Sequence, residues 1–432
     1  MPARSLWGKG VVMGGSASVH EVSEQLAIQR SAVGGAYGSP RDATPERRER
    51  HHVLISVDDH LVEPPHLFEG RLSRRFADRT PKVFETAEGN QAWVLDGLVL
   101  DQIAINAVAG RSVEEQFVEP MRFDAIRRGT WDIASRIADM DVDGVYASLN
   151  FPSALGFGGV RLTMLDDAEF VLALVRAYND WHLEEWAGYR PDRIIPCQIP
   201  YLLDATVGAE EIRRNAERGF HTVTFPDLTH LVGLPSLSSD HWDPFWAACE
   251  ETGTVLSIHA CSGGMANKID PNTQMTAFGV FFGVAQSIHP AIEWLFAGIP
   301  MRFPDLRICL SEGGIGWVVG LLDRLDHEYA RKIPGRWLDI TPRELFLRNF
   351  RFCMLDDPTT LHHVRHVIGV ERILLETDYP HSDSSWPDSQ RKWQRQLEGI
   401  PAGEAEQMAW RNASELFRHP VPAAVAADPN AF

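Results

Sequence analysis

Acidic and histidine residues end three predicted strands of this chain, in positions from which they can share a metal ion. Asp58 and His60 end the run VLISVDDH, His259 ends TGTVLSIH, and Asp378 ends RILLETD. Because side chains two positions apart on an extended strand point to the same side, Asp58 and His60 can both reach one cation. Two imidazoles and two carboxylates offer N and O donors without thiolate, which suits Zn²⁺, Mn²⁺ or Fe²⁺. The pattern therefore predicts an open metal site.

The elements that must position these side chains are β/α units. From residue 53 onward, short apolar or β-branched runs alternate with helical periodicity, which is typical of a parallel sheet. Eight strands are predicted, at 53–57, 145–150, 194–199, 221–225, 254–259, 306–311, 350–355 and 372–377. Helical patterns lie at 167–187, 208–219, 242–253, 289–304 and 317–332. Eight such units predict an α/β fold, a (β/α)₈ TIM barrel whose active site lies at the carboxyl ends of the strands.

The barrel is expected to span residues 51–418, with an N-terminal extension at 1–50 and a C-terminal tail at 419–432. The extension is rich in Gly, Ser, Ala and charge and shows no convincing strand. It is predicted to be either disordered or an arm that joins subunits of an oligomer.

The segment that follows the first strand is too long for a simple crossover. Residues 66–130 are therefore predicted to be an insertion that caps the barrel mouth. Within it, residues 91–110 have the pattern of a small β unit with a turn at Asp96 and Gly97. The insertion is where we expect substrate specificity to be decided.

Composition excludes several classes of protein. Hydrophobic residues make up 44% and charged residues 23% of the 432 residues, which is ordinary for a folded chain. The net charge of -18 would repel nucleic acid and anionic membranes. The five cysteines are widely spaced without a C-x-x-C pair, and no apolar run is long enough to span a membrane. A cytoplasmic protein that acts on a small molecule is the resulting expectation.

Four motifs carry a family resemblance. SVDDHLVEP, SIHACSGG, RFPDLRICLSEGGIGW and ETDYPHSDSSWP, in that order, resemble the amidohydrolase superfamily, in its amidohydrolase-2 or aminocarboxymuconate-semialdehyde-decarboxylase-like branch. The resemblance covers about residues 53 to 418 and implies a (β/α)₈ barrel with one catalytic divalent metal, for which Zn²⁺ is expected first and Mn²⁺ or Fe²⁺ next. It implies that Asp58 and His60 are first-strand ligands and His259 the fifth-strand ligand, while Asp378 binds the metal or moves a proton. A homo-oligomer, dimeric or larger, is expected.

The chain departs from this family at one position. Many relatives place a histidine at the end of the sixth strand, where this sequence has Glu312 in LSEGGIGW. Two readings of Glu312 stay open. Its carboxyl group can act as an acid or base, or it can cap the turn by accepting hydrogen bonds from the amides of Gly313 and Gly314.

Crowding of negative charge predicts a general acid. Asp58, Glu312 and Asp378 would surround one dication, and like charges at close range disfavour full ionisation. We therefore expect one carboxyl group to have a raised pKa, with Glu312 as the candidate. Glu63 in HLVEPP is expected to support the site or its loop rather than to bind the metal directly.

Further side chains near the motifs have two readings each. Phe151, Tyr379 and Trp386 can pack against a cyclic substrate or form the core of the barrel mouth. His381, three positions after Asp378, can donate a proton or bond a carboxylate from outside the metal shell.

These residues fit more than one activity. The branch of the family favours non-oxidative decarboxylation or related C-C cleavage of a cyclic or aromatic acid, with Asp378 or Glu312 protonating the ring carbon. The alternative is hydrolysis of an amide, ester or lactone by a metal-activated water with Asp378 as base. A barrel that has lost catalysis and only binds a ligand is the third reading, although no expected ligand is missing. No arginine within the motifs obviously balances the charge of an anionic substrate.

Overall fold

Parallel strands form the centre of the molecule. The computed structural model describes residues 43–112, 115–116, 120–264, 276–331 and 340–432, together with the backbone of two short strands, Val11–Val12 (β1) and Gln29–Arg30 (β2). The barrel strands are β3 (Ile55–His60), β7 (Ala147–Phe151), β8 (Ile194–Ile195), β9 (Cys197–Gln198), β10 (Thr222–Thr224), β11 (Val255–His259), β12 (Ile308–Ser311), β13 (Phe350–Met354) and β14 (Ile373–Leu375). All eight predicted strand positions are occupied.

The strands follow one another around a TIM barrel in chain order. One sheet has the order β3-β7-β8 and the other β9-β10-β11-β12-β13-β14, with parallel pairing throughout. β8 and β9 are two halves of the third barrel strand, interrupted at Pro196, which has no amide hydrogen to donate. The segment just after β14 closes the barrel against β3, where Asp378 N donates to Asp58 O at 2.9 Å and His60 N donates to Tyr379 O at 2.6 Å.

Helices lie at every position where the helical pattern was found. The α-helices are Ile133–Asp143, Ala168–Trp181, Ala187–Tyr189, Ala205–Glu217, Asp243–Thr252, Thr276–Ala285, Ile288–Phe296, Ile299–Arg302, Val318–Ala330, Pro342–Asn349, Pro358–His363, Arg365–Ile368, Ser389–Leu397, Ala402–Glu406, Asn412–Leu416 and Ala423–Ala427. Trp242, Trp246 and Trp294 are fully buried around Phe225, so the Trp-rich helices face the barrel core. No helix in the described ranges is long and apolar enough to cross a membrane.

The insertion after the first barrel strand forms a small antiparallel sheet, as predicted. Its strands are β4 (Lys82–Glu85), β5 (Gln91–Leu95) and β6 (Leu98–Leu100). Asp96 and Gly97 join β5 to β6 with φ values of 47° and 86°. Two successive positive φ values are what a tight hairpin turn of this length requires, which explains the Asp-Gly pair.

The expectation that the N-terminal extension contains no strand was wrong. β1 pairs with β6 and β2 pairs with β4, so the sheet has the order β1-β6-β5-β4-β2. Each added strand is only two residues long, too short to leave a recognisable alternation in the sequence. The extension thus covers both edges of the insertion sheet.

Candidate metal centre

The structure brings the predicted ligands together at the carboxyl ends of the barrel strands. His60 Nε2 lies 3.0 Å from His259 Nε2, 3.5 Å from Asp58 Oδ1 and 3.4 Å from Asp378 Oδ1. His259 Nε2 is 3.7 Å from Asp58 Oδ1. All four side chains are buried. Atoms from strands far apart in the sequence therefore converge on one small volume.

Backbone conformation at two strand ends is unusual. Asp378 and Glu312 have φ values of 49° and 53°, in the left-handed region that disfavours residues with a Cβ. Such conformations cost on the order of 1 to 2 kcal/mol and occur most often where a side chain must be aimed at a functional site. In this protein they turn two carboxylates towards the same cluster.

Asp59 fixes the first strand against the last. Its Oδ1 accepts hydrogen bonds from Ser56 Oγ at 2.9 Å, Thr377 Oγ1 at 2.7 Å and Tyr379 N at 3.0 Å. Its Oδ2 lies 3.8 Å from Nη1 of the buried Arg136. Because Asp59 sits between Asp58 and His60, this network sets the spacing between those two side chains and Asp378.

Asp227 holds the turn that follows His259. Its Oδ1 accepts hydrogen bonds from Gly263 N at 2.5 Å and Leu228 N at 2.9 Å. A Cβ at Gly263 would lie 2.6 Å from Leu228 O, so only glycine permits this approach. Burial raises the pKa of Asp227 to about 7, despite the amide hydrogen bonds that oppose the shift.

Burial and mutual repulsion shape the electrostatics of the cluster. Burial raises the pKa of Asp58 well above its usual value, and the carboxylates of Glu376, Glu312 and Asp378 raise it further. The pKa values of Asp378 and Glu376 are raised for the same reasons, again with burial as the largest cause. The pKa of His60 is lowered by burial and by the imidazoles of His381 and His259. Without a cation, the protein therefore disfavours the carboxylate forms of Asp58, Asp378 and Glu376 and the imidazolium form of His60.

Glu312 faces the cluster rather than its own turn. Glu312 Oε2 lies 3.0 Å from His259 Nε2, and Glu312 N donates to Glu376 Oε2 at 3.0 Å. In the described part of the chain, no amide hydrogen bond from Gly313 or Gly314 reaches the Glu312 carboxylate, so the capping geometry considered from the sequence is absent. The position permits a role in proton transfer or in metal binding.

His381 links the cluster to a cavity. Its Nδ1 lies 2.9 Å from Asp378 Oδ1, and its ring stacks on His60 with centroids 3.8 Å apart. It also lines a cavity of about 370 Å³, together with Trp386 and residues of the insertion. The arrangement is compatible with both roles predicted for His381, proton donation and hydrogen bonding to a carboxylate, because the ring contacts Asp378 and also lines the cavity.

The donor set fits a divalent cation. Two overlapping groups have ligand atoms within 4.8 Å of one another, namely Asp58, His60 and His259, and then His60, Asp378 and His381. Both oxygens of Asp58 are buried, and neither accepts a hydrogen bond from any residue that the structure describes. An uncompensated buried carboxylate is costly, and a bound dication would offset that cost. The roles of these residues as ligands remain a prediction from geometry and chemistry.

The other residues predicted to support the site or contact a substrate lie around the cluster, and their contacts differ. Glu63 accepts hydrogen bonds from Ala154 N at 2.7 Å and Leu155 N at 3.2 Å, so it supports a loop. Phe151 is buried against the rings of His60 and His259. Tyr379 is buried and donates to Asp139, whereas Trp386 lines the cavity and is the predicted aromatic residue placed to meet a ligand.

Three residues of the site were missed from the sequence. Phe157 packs against the rings of His60 and His259, with centroids 4.6 and 4.2 Å away. Glu376 precedes Asp378 by two positions, and Asp59 lies inside the D-D-H run. For Glu376 the signal was present, since a spacing of two places both carboxylates on one side of an extended segment. Phe157 lies in a loop with no comparable pattern.

Comparison with known proteins now identifies the family. The family model described as Amidohydrolase matches residues 79–419. The chain belongs to the amidohydrolase family. The matched segment contains His259, Glu312 and Asp378 and begins after Asp58 and His60, so the assignment of the first-strand pair rests on the geometry described above.

Individual relatives share less than a quarter of their residues with this chain over the aligned segments. The chain is 23% identical over 263 residues to a 2-amino-3-carboxymuconate-6-semialdehyde decarboxylase of Dictyostelium discoideum, covering 60% of this chain and 69% of that protein. An amidohydrolase structure from Mycobacterium avium subsp. paratuberculosis K-10 has a TM-score of 0.64 at 22% identity, covering 85% of this chain and 100% of that one. A 5-carboxyvanillate decarboxylase of Novosphingobium aromaticivorans, complexed with manganese, has a TM-score of 0.58 at 19% identity, covering 88% and 100%. These structural likenesses show the barrel fold.

Proposed function

We propose that this protein is a metal-dependent carboxy-lyase that removes CO₂ from a small cyclic or aromatic acid without oxidation. The single observation that carries the proposal is the convergence of two imidazoles and two carboxylates, all buried, beside a cavity reached through His381. The decarboxylases found among the relatives support this reaction over hydrolysis.

Asp58, His60, His259 and Asp378 would hold the cation. When bound, a divalent cation draws electron density from substrate oxygens and so stabilises negative charge that develops during C-C cleavage. The manganese present in one structural relative makes Mn²⁺ a candidate beside the Zn²⁺ expected from the sequence. The N and O donors of the cluster accept either ion.

The protein side chains would transfer one proton to the substrate and exclude water from the site. As the bond between the ring carbon and the carboxylate breaks, CO₂ leaves and the ring carbon takes a proton from Glu312, or from Asp378 if that carboxyl group moves the proton instead of binding the cation. His381, 2.9 Å from Asp378 and lining the cavity, can return a proton from solvent to the Asp378 carboxylate. Phe151 and Phe157 pack against the imidazoles and keep this region dry, which strengthens charge interactions there.

A substrate panel tests the proposal. Metal-loaded protein is assayed for CO₂ release from hydroxybenzoic acids and aromatic dicarboxylic acids, beside aryl esters, amides and lactones. We expect CO₂ release from at least one acid, dependent on added Mn²⁺ or Zn²⁺ and lost in Asp378→Asn. Hydrolysis of esters, amides or lactones without CO₂ from any acid would contradict the proposal.

A further inference from the structure

A carboxylate next to the helix Pro358–His363 supports the turn that carries Glu312. Asp357 occupies the N-cap position of this helix, where an aspartate usually accepts a hydrogen bond from an amide of the helix itself. The Asp357 side chain makes no such bond. Instead, Asp357 Oδ2 accepts from Ile315 N and Asp357 Oδ1 accepts from Gly316 N, each at 3.0 Å. The carboxylate therefore supports a different loop, the one that follows the sixth barrel strand.

Residues 312–316 (the Glu312 turn) have a backbone conformation that requires support. The φ values of Glu312 and Gly314 are 53° and 61°, and the first is costly because glutamate has a Cβ. Such a conformation persists only where its surroundings hold it in place. A Cβ at Gly316 would lie 3.1 Å from Asp357 Oδ1, so a side chain at this position would crowd the carboxylate. The glycine thus permits the contact that supports the turn.

Three side chains hold the Glu312 turn. Glu376 Oε2 accepts from Glu312 N at 3.0 Å, and Trp317 Nε1 donates to Gly313 O at 2.8 Å. Asp357 accepts hydrogen bonds from the last two amides of the turn. Glu376 is one of the carboxylates that crowd the metal cluster, and Trp317 is buried in the core. Asp357 belongs to neither group of converging donor atoms, so its substitution changes the support of the turn and leaves the donor set intact.

The Glu312 carboxylate depends on this turn for its position. Glu312 Oε2 lies 3.0 Å from His259 Nε2. Proton transfer requires the donor and acceptor atoms to be aligned at close range, and a displacement of about 1 Å can lower a rate about 100-fold. Charge-assisted hydrogen bonds to two consecutive amides restrain both the position and the orientation of the turn. Removal of these bonds should therefore move the Glu312 carboxylate.

We propose that Asp357 is a positioning residue for Glu312. It holds the Glu312 turn in the conformation that directs the Glu312 carboxylate towards His259, and it acts on the reaction only through Glu312. This inference rests on the proposed decarboxylase function, in which Glu312 can supply the proton. It adds to that step a residue from outside the sequence motifs.

A double-mutant cycle tests the inference. The kcat for CO₂ release is measured in the metal-loaded natural protein, Asp357→Ala, Glu312→Gln and the double variant. We expect Asp357→Ala to lower kcat about 10- to 100-fold with little change in KM, because the proton donor is misplaced while the substrate still binds. In the Glu312→Gln background, the same change should lower kcat less than about 2-fold, since no proton donor is left to misplace.

Two further variants make the cycle decisive. Asp357→Asn should keep part of the rate, because its amide oxygen can accept one of the two hydrogen bonds, and it replaces Asp357→Ala in the cycle if that variant does not fold. Asp356→Ala is the control, since Asp356 is the exposed residue just before Asp357, and kcat should be unchanged. Equal losses of kcat with and without the Glu312 carboxyl group would overturn the inference, because Asp357 would then act on the structure in general.

Crystal structures of the metal-loaded variants separate this inference from the proposed function. The Glu312 carboxylate should be displaced or disordered in Asp357→Ala and unchanged in Asp356→Ala. If this result is obtained and no acid releases CO₂ in the natural protein, the proposed reaction is wrong and the positioning role of Asp357 stands. If the Glu312 carboxylate keeps its place in Asp357→Ala, the positioning role is overturned, whatever the activity.

Discussion

Glu312 follows the sixth barrel strand, where the family resemblance predicts a histidine, and its surroundings support a chemical role. Its carboxylate lies 3.0 Å from His259 Nε2, and the residue as a whole is 7% exposed. A carboxyl group can give a proton to a carbon atom from this position as a histidine would, and its positive φ indicates that the backbone is bent to aim it.

Substitution of Glu312 tests that role. Glu312→Gln keeps the size and polarity of the side chain but removes its transferable proton. We expect kcat to fall by roughly 10² to 10⁴ while metal content and the circular dichroism spectrum stay unchanged. A rate close to that of the natural protein would leave Glu312 with a structural role only.

His259 is expected to be indispensable for metal retention. His259→Ala removes an imidazole that touches His60 and Glu312, and metal per chain in purified protein should fall below about a third of an equivalent, with loss of turnover. His182→Ala is the matched control, since His182 is equally buried but bonds Cys197 N away from the cluster. Equal metal loss in both variants would show that general destabilisation, rather than ligation, is responsible.

The ligands could be predicted from the sequence because strand ends meet at one rim of a barrel. Asp58, His60, His259 and Asp378 follow apolar runs, so their convergence follows from fold geometry. Arg111 and Arg127, which line the cavity beside His381, could not be predicted in the same way. Their positions depend on how the insertion packs on the 378–381 loop, and no strand periodicity encodes that packing.

Strand β3 depends on Asp59 for its alignment with the segment after β14. Asp59→Asn keeps one acceptor oxygen but removes the charge that faces Arg136. Second-layer residues of this kind commonly alter metal affinity 10- to 100-fold, and we expect a loss of that size in equilibrium metal titrations, with the fold retained. Asp143→Asn, at a buried aspartate bonded to Ser389, should leave metal affinity unchanged. Equal effects from the two variants would contradict the positioning role of Asp59.

Asp143 joins two helices and gives the fold a pH dependence. It ends the helix Ile133–Asp143 and accepts hydrogen bonds from Ser389 N at 2.8 Å and Ser389 Oγ at 2.5 Å. Burial raises its pKa from 3.8 to about 7. The folded state therefore keeps a proton that the unfolded state loses between pH 4 and 7, so the free energy of unfolding falls as pH rises through that range.

Denaturant unfolding measured from about pH 4 to about pH 9 tests this contribution. One additional proton bound by the folded state corresponds to a slope of at most about 1.4 kcal/mol per pH unit. Between pH 4 and 7, the free energy of unfolding should fall less steeply with pH in Asp143→Asn than in the natural protein, by up to this slope. Above pH 8, the two proteins should show the same slope. Identical slopes throughout would mean that Asp143 is ionised in the folded state.

Long, regular elements could be predicted, whereas short additions could not. The eight barrel strands carry apolar or β-branched runs, and the Asp96-Gly97 turn has a chemical signature. β1 and β2 carry no such signal in the sequence. Each is two residues long, and its pairing depends on the edge of a sheet that is formed elsewhere in the chain. The break within the third barrel strand, by contrast, has a signal in the sequence, because Pro196 lacks an amide hydrogen for the strand pairing.

At the scale of the whole molecule, the net charge is strongly negative, but the cavity beside His381 is lined by two arginines. The net charge is -18, and the two arginines are Arg111 and Arg127. A dimeric or larger assembly and a cytoplasmic location remain predictions from the sequence.

The extension and the insertion are joined by one antiparallel sheet. Its strand order is β1-β6-β5-β4-β2, and Arg127 Nη1 donates to Ala43 O at 3.3 Å. Ala43 and Pro45 also line the cavity. The end of the extension therefore contributes directly to the wall of this cavity.

The central claim is that four side chains from distant parts of the chain hold one divalent cation. A crystal structure of Mn²⁺-loaded protein, with anomalous diffraction recorded at the manganese edge, tests it directly. We expect one strong anomalous peak within about 2.0 to 2.4 Å of donor atoms from Asp58, His60, His259 and Asp378. Fully loaded crystals with the peak elsewhere, or with none at this cluster, would contradict the account.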